Sequence, residues 1–165
     1  MNFGANKKFG THFPVLIKMV EITDGPILEL GMGLNSSLFL HWACYLSKRK
    51  LVSYESYREC YKFFKNLNNE YHQVSWVRDG DWDKIDVLDH WSVVLVDHES
   101  DRRTKEIERL ANSADYIIAH DSEGRNDKSY KYSQIYPLFK YRYDFTRARP
   151  HTVVLSNFKE LSDLL

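Results

Sequence analysis

The stretch Pro26-Ile27-Leu28-Glu29-Leu30-Gly31-Met32-Gly33-Leu34-Asn35-Ser36-Ser37 constrains this chain more than any other. A short apolar run passes through an acid into Gly-x-Gly and then into a segment with helical spacing. Glycine admits positive φ and carries no Cβ, so such a turn can lie against a nucleotide-like ligand, and the helix after it aims free N–H groups at that ligand. The context gives the turn its weight, since Gly-x-Gly with serine in place of a third glycine also occurs as a plain tight turn. No Gly-Lys-Ser/Thr follows, so the loop is not a phosphate-gripping P-loop.

The length, 165 residues, suits one domain able to bury a core without disulfides, read as an arm and helix over 1–25 and a core over 26–157. Lys plus Arg is 23 and Asp plus Glu is 23, so there is no strong nucleic-acid signal of the kind a basic excess gives. No apolar run is long enough to cross a bilayer, and Met1 to Lys8 lacks the apolar core of a signal peptide. Cys44 and Cys60 fall in expected helices, which reads as reduced, buried thiols of a cytoplasmic protein.

Strands and helices alternate along the chain. Thr11 is placed to cap a first helix with Pro14 in its first turn and Val15, Leu16, Met19 and Val20 as its apolar stripe. Ile27 to Leu30 is the first strand, and a helix follows from about Ser36 to Ser47 with Leu38, Trp42 and Tyr45 on one face. Leu51 to Glu55 is the second strand, and Ser56-Tyr57-Arg58-Glu59 has the pattern of a capping box. His72 to Val77 alternates as a third strand. Trp91 to Asp97 is an unbroken apolar run suited to a central parallel strand. A helix over 101–112 and a strand ending at His120-Asp121 come next. The tail differs: Tyr141, Tyr143 and Phe145 alternate with charged residues, a Pro150 turn follows, and Thr152 to Leu155 returns, forming an antiparallel hairpin.

In a parallel α/β sheet the ligand lies at the carboxyl ends of the strands, at the point where strand order reverses. Those ends carry Glu29 with the glycine loop, Glu55, the run Asp79-Gly80-Asp81-Trp82, Asp97-His98-Glu99, and His120-Asp121. Glu55 lies roughly two dozen residues past Gly31, where a carboxylate takes both ribose hydroxyls of a nucleotide. The competing reading makes it a helix-capping acid, a role that Ser56 is already placed to fill.

This organisation resembles the class I S-adenosylmethionine-dependent methyltransferases, from about Val15 to Asn157. Glu29-Leu30-Gly31-Met32-Gly33-Leu34-Asn35-Ser36 is similar to their first motif, and the terminal hairpin is similar to their reversed last strand pair, which a nicotinamide-binding fold lacks. The resemblance implies an α/β, three-layer Rossmann-like fold with a mostly parallel seven-stranded sheet and a C-terminal antiparallel hairpin. It implies S-adenosylmethionine held by Glu29 at the amino group, directly or through water, by the turn around Gly31, Gly33, Asn35 and Ser36, by Glu55 at the ribose, and by Asp81 (or Asp79) and Trp82 at the adenine.

At the catalytic end there is no Asn/Asp-Pro-Pro-aromatic motif, which speaks against methylation of nucleobase amino groups. Asp97 and Asp121 end neighbouring strands, as in metal-dependent O-methyltransferases, which implies Mg2+ or Ca2+; His120 and Ser122 beside Asp121 depart from that pattern. Without metal, His98 or His120, with Asp121 nearby, serves as general base on a hydroxyl. Arg102 and Arg103 read either as an anion grip or as a solvated helix start, and Tyr130, Tyr132 and Tyr136 either as acceptor-pocket aromatics or as core. His12, His41, His72, His90 and His151 are read as structural or exposed. The expected activity is O-methylation of a small or modest hydroxyl-bearing acceptor, with no membrane partner and a homo-oligomer as one way to complete an open pocket. A non-catalytic binding module or complex subunit, a nicotinamide oxidoreductase and a metal-dependent hydrolase are the rivals.

Overall fold

A computed structural model of the chain describes residues 9–87, 89–162 and 164; the segment 1–8 discussed above lies outside them. The elements in chain order are α1 (Phe13–Glu21), β1 (Ile27–Leu30), α2 (Ser36–Ser47), β2 (Leu51–Glu55), α3 (Arg58–Phe64), β3 (His72–Trp76), β4 (Trp91–Val96), α4 (Arg103–Leu110), β5 (Ala114–His120), α5 (Asp127–Tyr130), α6 (Tyr132–Ile135), β6 (Tyr141–Phe145) and β7 (Thr152–Ser156). The strands form one sheet in the order β3-β2-β1-β4-β5-β7-β6. β1 to β5 pair in parallel, and β7 runs antiparallel between β5 and β6. The order reverses between β1 and β4, so the switch point lies where the glycine loop meets the end of β4.

Alternation along the strands divides the core. Leu28, Leu30, Val52, Val94, Val96, Ile117 and Ala119 pack with Trp82, Ile107, Leu110 and Tyr132 on one face. Ile27, Leu51, Val93, Leu95 and Ile118 pack on the other face with Val15, Leu16 and Met19 of α1 and Leu40 and Cys44 of α2. Successive residues point to opposite faces, so Glu29, Ser53, Asp97 and His120 share parity with this second set and lie beneath α1 and α2. Both cysteines are free and buried.

Three local expectations are corrected. Thr11 does not cap α1: His12 holds that position, and the Thr11 hydroxyl donates to the Pro150 carbonyl at 2.7 Å, a long-range bond in place of a local one. The capping box at Ser56 does not form: Tyr57 holds the cap position, Ser56 donates to the Glu99 carboxylate, and the Glu55 carboxylate takes the Tyr57 amide at 2.6 Å. On α2, Leu38, Trp42 and Tyr45 are exposed, while the buried face is Ser36, Ser37, Leu40 and Cys44. A helix lying close over the glycine loop and a buried carboxylate needs small and hydroxyl-bearing residues there, which leaves the bulky stripe outside.

Gly31 sits at the switch point with φ of +92°, and a Cβ there would lie 2.7 Å from the carbonyl carbon and oxygen of Asp97 and the amide nitrogen of His98. Gly33 differs, since its Cβ would meet only Ser36 Oγ at 3.7 Å. Gly31→Ala should therefore lower stability by on the order of 3 kcal/mol, through left-handed strain plus a backbone clash. Gly33→Ala should melt like the parent. Urea unfolding of both variants checks this, and equal stability for Gly31→Ala would contradict the close approach.

Candidate functional site

Beneath the glycine loop runs a row of buried polar groups. Ser37 Oγ accepts from the Gly33 amide at 3.0 Å and donates to Glu29 Oε1 at 2.9 Å. Ser53 Oγ donates to Glu29 Oε2 at 2.6 Å and lies 2.9 Å from His72 Nε2, and His72 Nδ1 is 3.0 Å from His41 Nδ1. Strand register sets this row out, since Glu29 pairs with Ser53 and Leu51 with His72. Glu29 is completely buried, and desolvation pushes its carboxyl up to about 7 against the opposing bonds from Ser53, Ser36 and Ser37. Glu29 thus fixes the loop from below, and its full burial leaves no surface for a direct contact with a ligand's amino group.

Glu55 ties the loop to the next helix. Its Oε2 accepts from the Met32 amide at 2.9 Å and its Oε1 from the Tyr57 amide. Burial raises its pKa, and those two amides oppose the rise. A carboxylate offers about four acceptor directions, so the two amides and the nearby Cys60 thiol leave room for a ribose hydroxyl. The Asn35 side chain packs on Gly10, where a Cβ would lie 3.2 Å from Asn35 Nδ2. Ser36 is buried in the first turn of α2.

Beyond Glu55 opens a cleft of about 430 Å³, with Tyr54, Trp76, Arg78, Asp79, Asp81 and Lys84 in its wall. Asp81 pairs with Lys84 at 2.5 Å. Trp82 lies outside the cleft. It is 1 % exposed, its Nε1 donates to Glu99 at 2.8 Å, and its ring meets the His98 ring edge-on at 4.1 Å. Its role is to back the strand ends, not to offer a face to adenine.

The ends of β4 and β5 are organised by Arg103, which is 5 % exposed. Its Nε donates to the His98 carbonyl at 2.7 Å and its Nη1 to the His120 carbonyl at 3.0 Å and to Asp121 Oδ2 at 3.1 Å. Its Nη2 lies 2.9 Å from Asp97 Oδ1, and its guanidinium lies over the Tyr130 ring. Burial alone lowers such a group, but Asp97, Tyr132 and Asp121 outweigh it and hold the guanidinium firmly charged. Tyr130 donates to Asp121 and Tyr132 to the His120 carbonyl, while their rings stack, so these tyrosines are core with polar tips in the site. Neither reading of Arg103 from sequence anticipated a buried cation, whereas Arg102 does sit near the surface on Asp83 and Glu106.

Arg103 also decides the question of Mg2+ or Ca2+. Asp97 and Asp121 are brought together as expected, but the guanidinium lies between them. Hard cations need a shell of oxygens, and these two carboxylates already face an internal cation, so the pair does not fit such an ion. His98 is buried with both ring nitrogens unpartnered among the described residues, and burial, reinforced by Arg103, lowers it to about 3. His120 has Nε2 at 2.8 Å from Thr11 Oγ1 and Nδ1 at 3.3 Å from Asp97 Oδ1. Burial lowers it, but the Asp97 hydrogen bond and charge raise it overall. With both nitrogens engaged it does not suit the role of free base. His12, read as structural or exposed, is 2 % exposed and packs its ring against His120 at 4.9 Å.

No protein-family model matches the sequence, and no curated protein matches it either. Solved structures do. An O-methyltransferase from Bacillus cereus in complex with SAH superposes with a TM-score of 0.65 at 12% identity, over 93% of this chain and 83% of that one. Cofactor-bound Rv0187 from MTB gives 0.65 at 12%, over 94% and 83%. The human methyltransferase 10 domain containing protein gives 0.59 at 11%, over 89% and 84%. The chain has the class I methyltransferase fold. The glycine loop and Glu55 lie at the ends of β1 and β2, and Asp97, His98, His120 and Asp121 at the ends of β4 and β5.

Stability should report the buried Glu29 directly. Its folded pKa of about 7 lies above the ordinary 4.5, so its contribution is fully present below about 4.5 and is lost as pH rises through about 7. Glu29→Gln removes this dependence. The stability of the parent minus that of the variant should fall by on the order of 3 kcal/mol from pH 4.5 to 8. His12 and His98, held neutral by burial, act in the opposite sense but are common to both proteins. A flat difference curve in denaturant titrations would contradict the assignment.

Proposed function

We propose that this protein transfers the methyl group of S-adenosylmethionine to a hydroxyl of a small or modest acceptor. The observation that carries this reading is the glycine loop at the switch point: Gly31 is pressed on the end of β4, Gly33 is open above, and Glu55 is anchored beside them with acceptor directions to spare. The amides of Gly31, Met32 and Gly33 are bonded within the protein, so backbone carbonyls of the loop would hold the methionine amino group, Glu55 the ribose, and Asp81 or Asp79 the adenine amino group in the cleft. When bound, S-adenosylmethionine supplies a methyl group already activated on a sulfonium, which leaves alignment and proton removal to the protein. His98, neutral at pH 7 and with both ring nitrogens buried and unpartnered among the described residues, would take the hydroxyl proton once a bound acceptor brings its oxygen against the ring. A base this weak suffices, because a hydroxyl oxygen that has gained a methyl group becomes strongly acidic. Net charge of zero and the Asp97-His98-Glu99 sequence after β4 favour a hydroxyl acceptor over a nucleobase amine. No helix among the described residues is long and apolar enough to cross a membrane.

Calorimetric titration tests the cofactor half. S-adenosylmethionine and S-adenosylhomocysteine should bind at micromolar concentration and NAD should not. Glu55→Ala should weaken binding by about 1.5–3 kcal/mol, the range for hydrogen bonds to a charged group. Because Glu55 also holds the Met32 and Tyr57 amides, the variant's melting curve is recorded alongside. A folded Glu55→Ala that binds normally contradicts the ribose assignment. In an acceptor screen read by S-adenosylhomocysteine release, His98→Gln should lower kcat by on the order of 100-fold with cofactor affinity unchanged. Unchanged kcat would remove His98 from the chemistry.

A further inference from the structure

His12, Asp97 and His120 converge from three separate elements. One nitrogen or oxygen from each lies within 4.8 Å of the others. Bonds of about 2.0–2.2 Å to a common ion place ligand atoms about 3–4 Å apart, so a small inward movement closes the triad. The hydrogen bonds around His120 fix what its Nδ1 can do. Thr11 gives its one hydroxyl proton to the Pro150 carbonyl, so it can only accept from His120, which puts a proton on Nε2. Nδ1 then faces Asp97 Oδ1 at 3.3 Å, and a bare lone pair there would repel the carboxylate. A proton on Nδ1 or a metal ion between the two removes that repulsion.

His12 decides which cation. It is 2 % exposed, and among the described residues neither of its ring nitrogens has a hydrogen-bond partner. A proton on His120 leaves His12 orphaned, whereas a metal ion takes a His12 nitrogen as well. The surroundings are those of a ligand set. The far nitrogen of His120 is held by Thr11, and the Asp97 carboxylate is braced by Arg103 at 2.9 Å, as ligating groups usually are. Asp97 and Asp121 together carry two negative charges against the one of Arg103, which leaves charge to offset an ion. Asp97 is also partly exposed, so the site opens towards solvent.

We propose that His12, Asp97 and His120 bind a divalent transition-metal ion through two imidazole nitrogens and one carboxylate oxygen. Imidazole donors select ions such as Zn2+, Co2+ or Fe2+ over Mg2+ and Ca2+. The proposal does not rest on S-adenosylmethionine binding. It replaces the oxygen-only pair Asp97 and Asp121 with a set that includes a histidine from the first helix.

Metal-stripped protein titrated with Co2+ tests it. About one equivalent should bind saturably, with visible d–d absorption of a nitrogen-containing site, and Zn2+ should displace it while excess Mg2+ and Ca2+ do not. His12→Gln should weaken Co2+ binding at least about tenfold, whereas His41→Ala should leave it unchanged. Ring NMR of the unmutated protein provides a check that needs no variant: Zn2+ should shift the His12 and His120 signals and spare His41 and His90. Absence of saturable Co2+ binding, displacement by Mg2+, unchanged affinity in folded His12→Gln, or shifts confined to His41 and His90 would each overturn the proposal.

Discussion

The ligand-facing end of this molecule depends on one close approach, that of the Gly31 backbone to the peptide joining Asp97 and His98. There the strand order reverses and two parallel strands diverge, which opens the crevice that α/β folds use for ligands. Any side chain at position 31 would enter that peptide at 2.7 Å. Once the loop is seated, its amides are satisfied from below and from the side. Ser37 accepts from the Gly33 amide beneath and donates in turn to Glu29, and Glu55 takes the Met32 amide laterally. A buried carboxylic acid under the loop is costly, and the molecule offsets that cost with two serine hydroxyls and a pKa raised to near neutrality.

The other half of the crevice is held by a cation where the sequence suggested a place for one. Arg103 crosses from the start of α4 to the ends of β4 and β5, bonding two backbone carbonyls and pairing with Asp97 and Asp121. A planar guanidinium with five donors can satisfy such a set at once, which an ammonium cannot. This internal ion pairing is why two strand-end acids do not form an oxygen cage for a hard cation. The same Asp97 oxygen, Oδ1, also faces His120 Nδ1, so the guanidinium and the imidazole meet at one carboxylate.

Much of this was legible in the residues. The run Ile27 to Ser37, the apolar Trp91 to Val96 and the alternating tail define the sheet, its switch point and its reversed last strand, and the structure has each of them. Strand parity was also readable in principle: Glu29, Ser53, Asp97 and His120 fall on one face with the residues that contact α1 and α2. What could not be read was long-range competition for polar groups. Thr11 and Ser56 look like helix caps locally, yet Pro150 and Glu99, distant in sequence, take their hydroxyls. From sequence Trp82 reads as an adenine contact and Arg103 as an anion grip or a solvated helix start, and both are buried because partners far along the chain reach them. His12 carried one signal, a histidine just ahead of a helix that covers the Asp97 and His120 face, but its meaning depends on knowing which face that helix covers.

The account rests on the loop at Gly31 to Gly33 and its anchor Glu55 forming the seat of an adenosyl cofactor. A crystal structure of the protein grown with S-adenosylhomocysteine tests this most directly. The ligand should lie across Gly31 to Gly33 with its ribose hydroxyls on Glu55 and its adenine in the cleft beside Asp79 and Asp81. Ligand density elsewhere on the molecule, or a Glu55 carboxylate left without a ligand contact in a fully occupied complex, would contradict it.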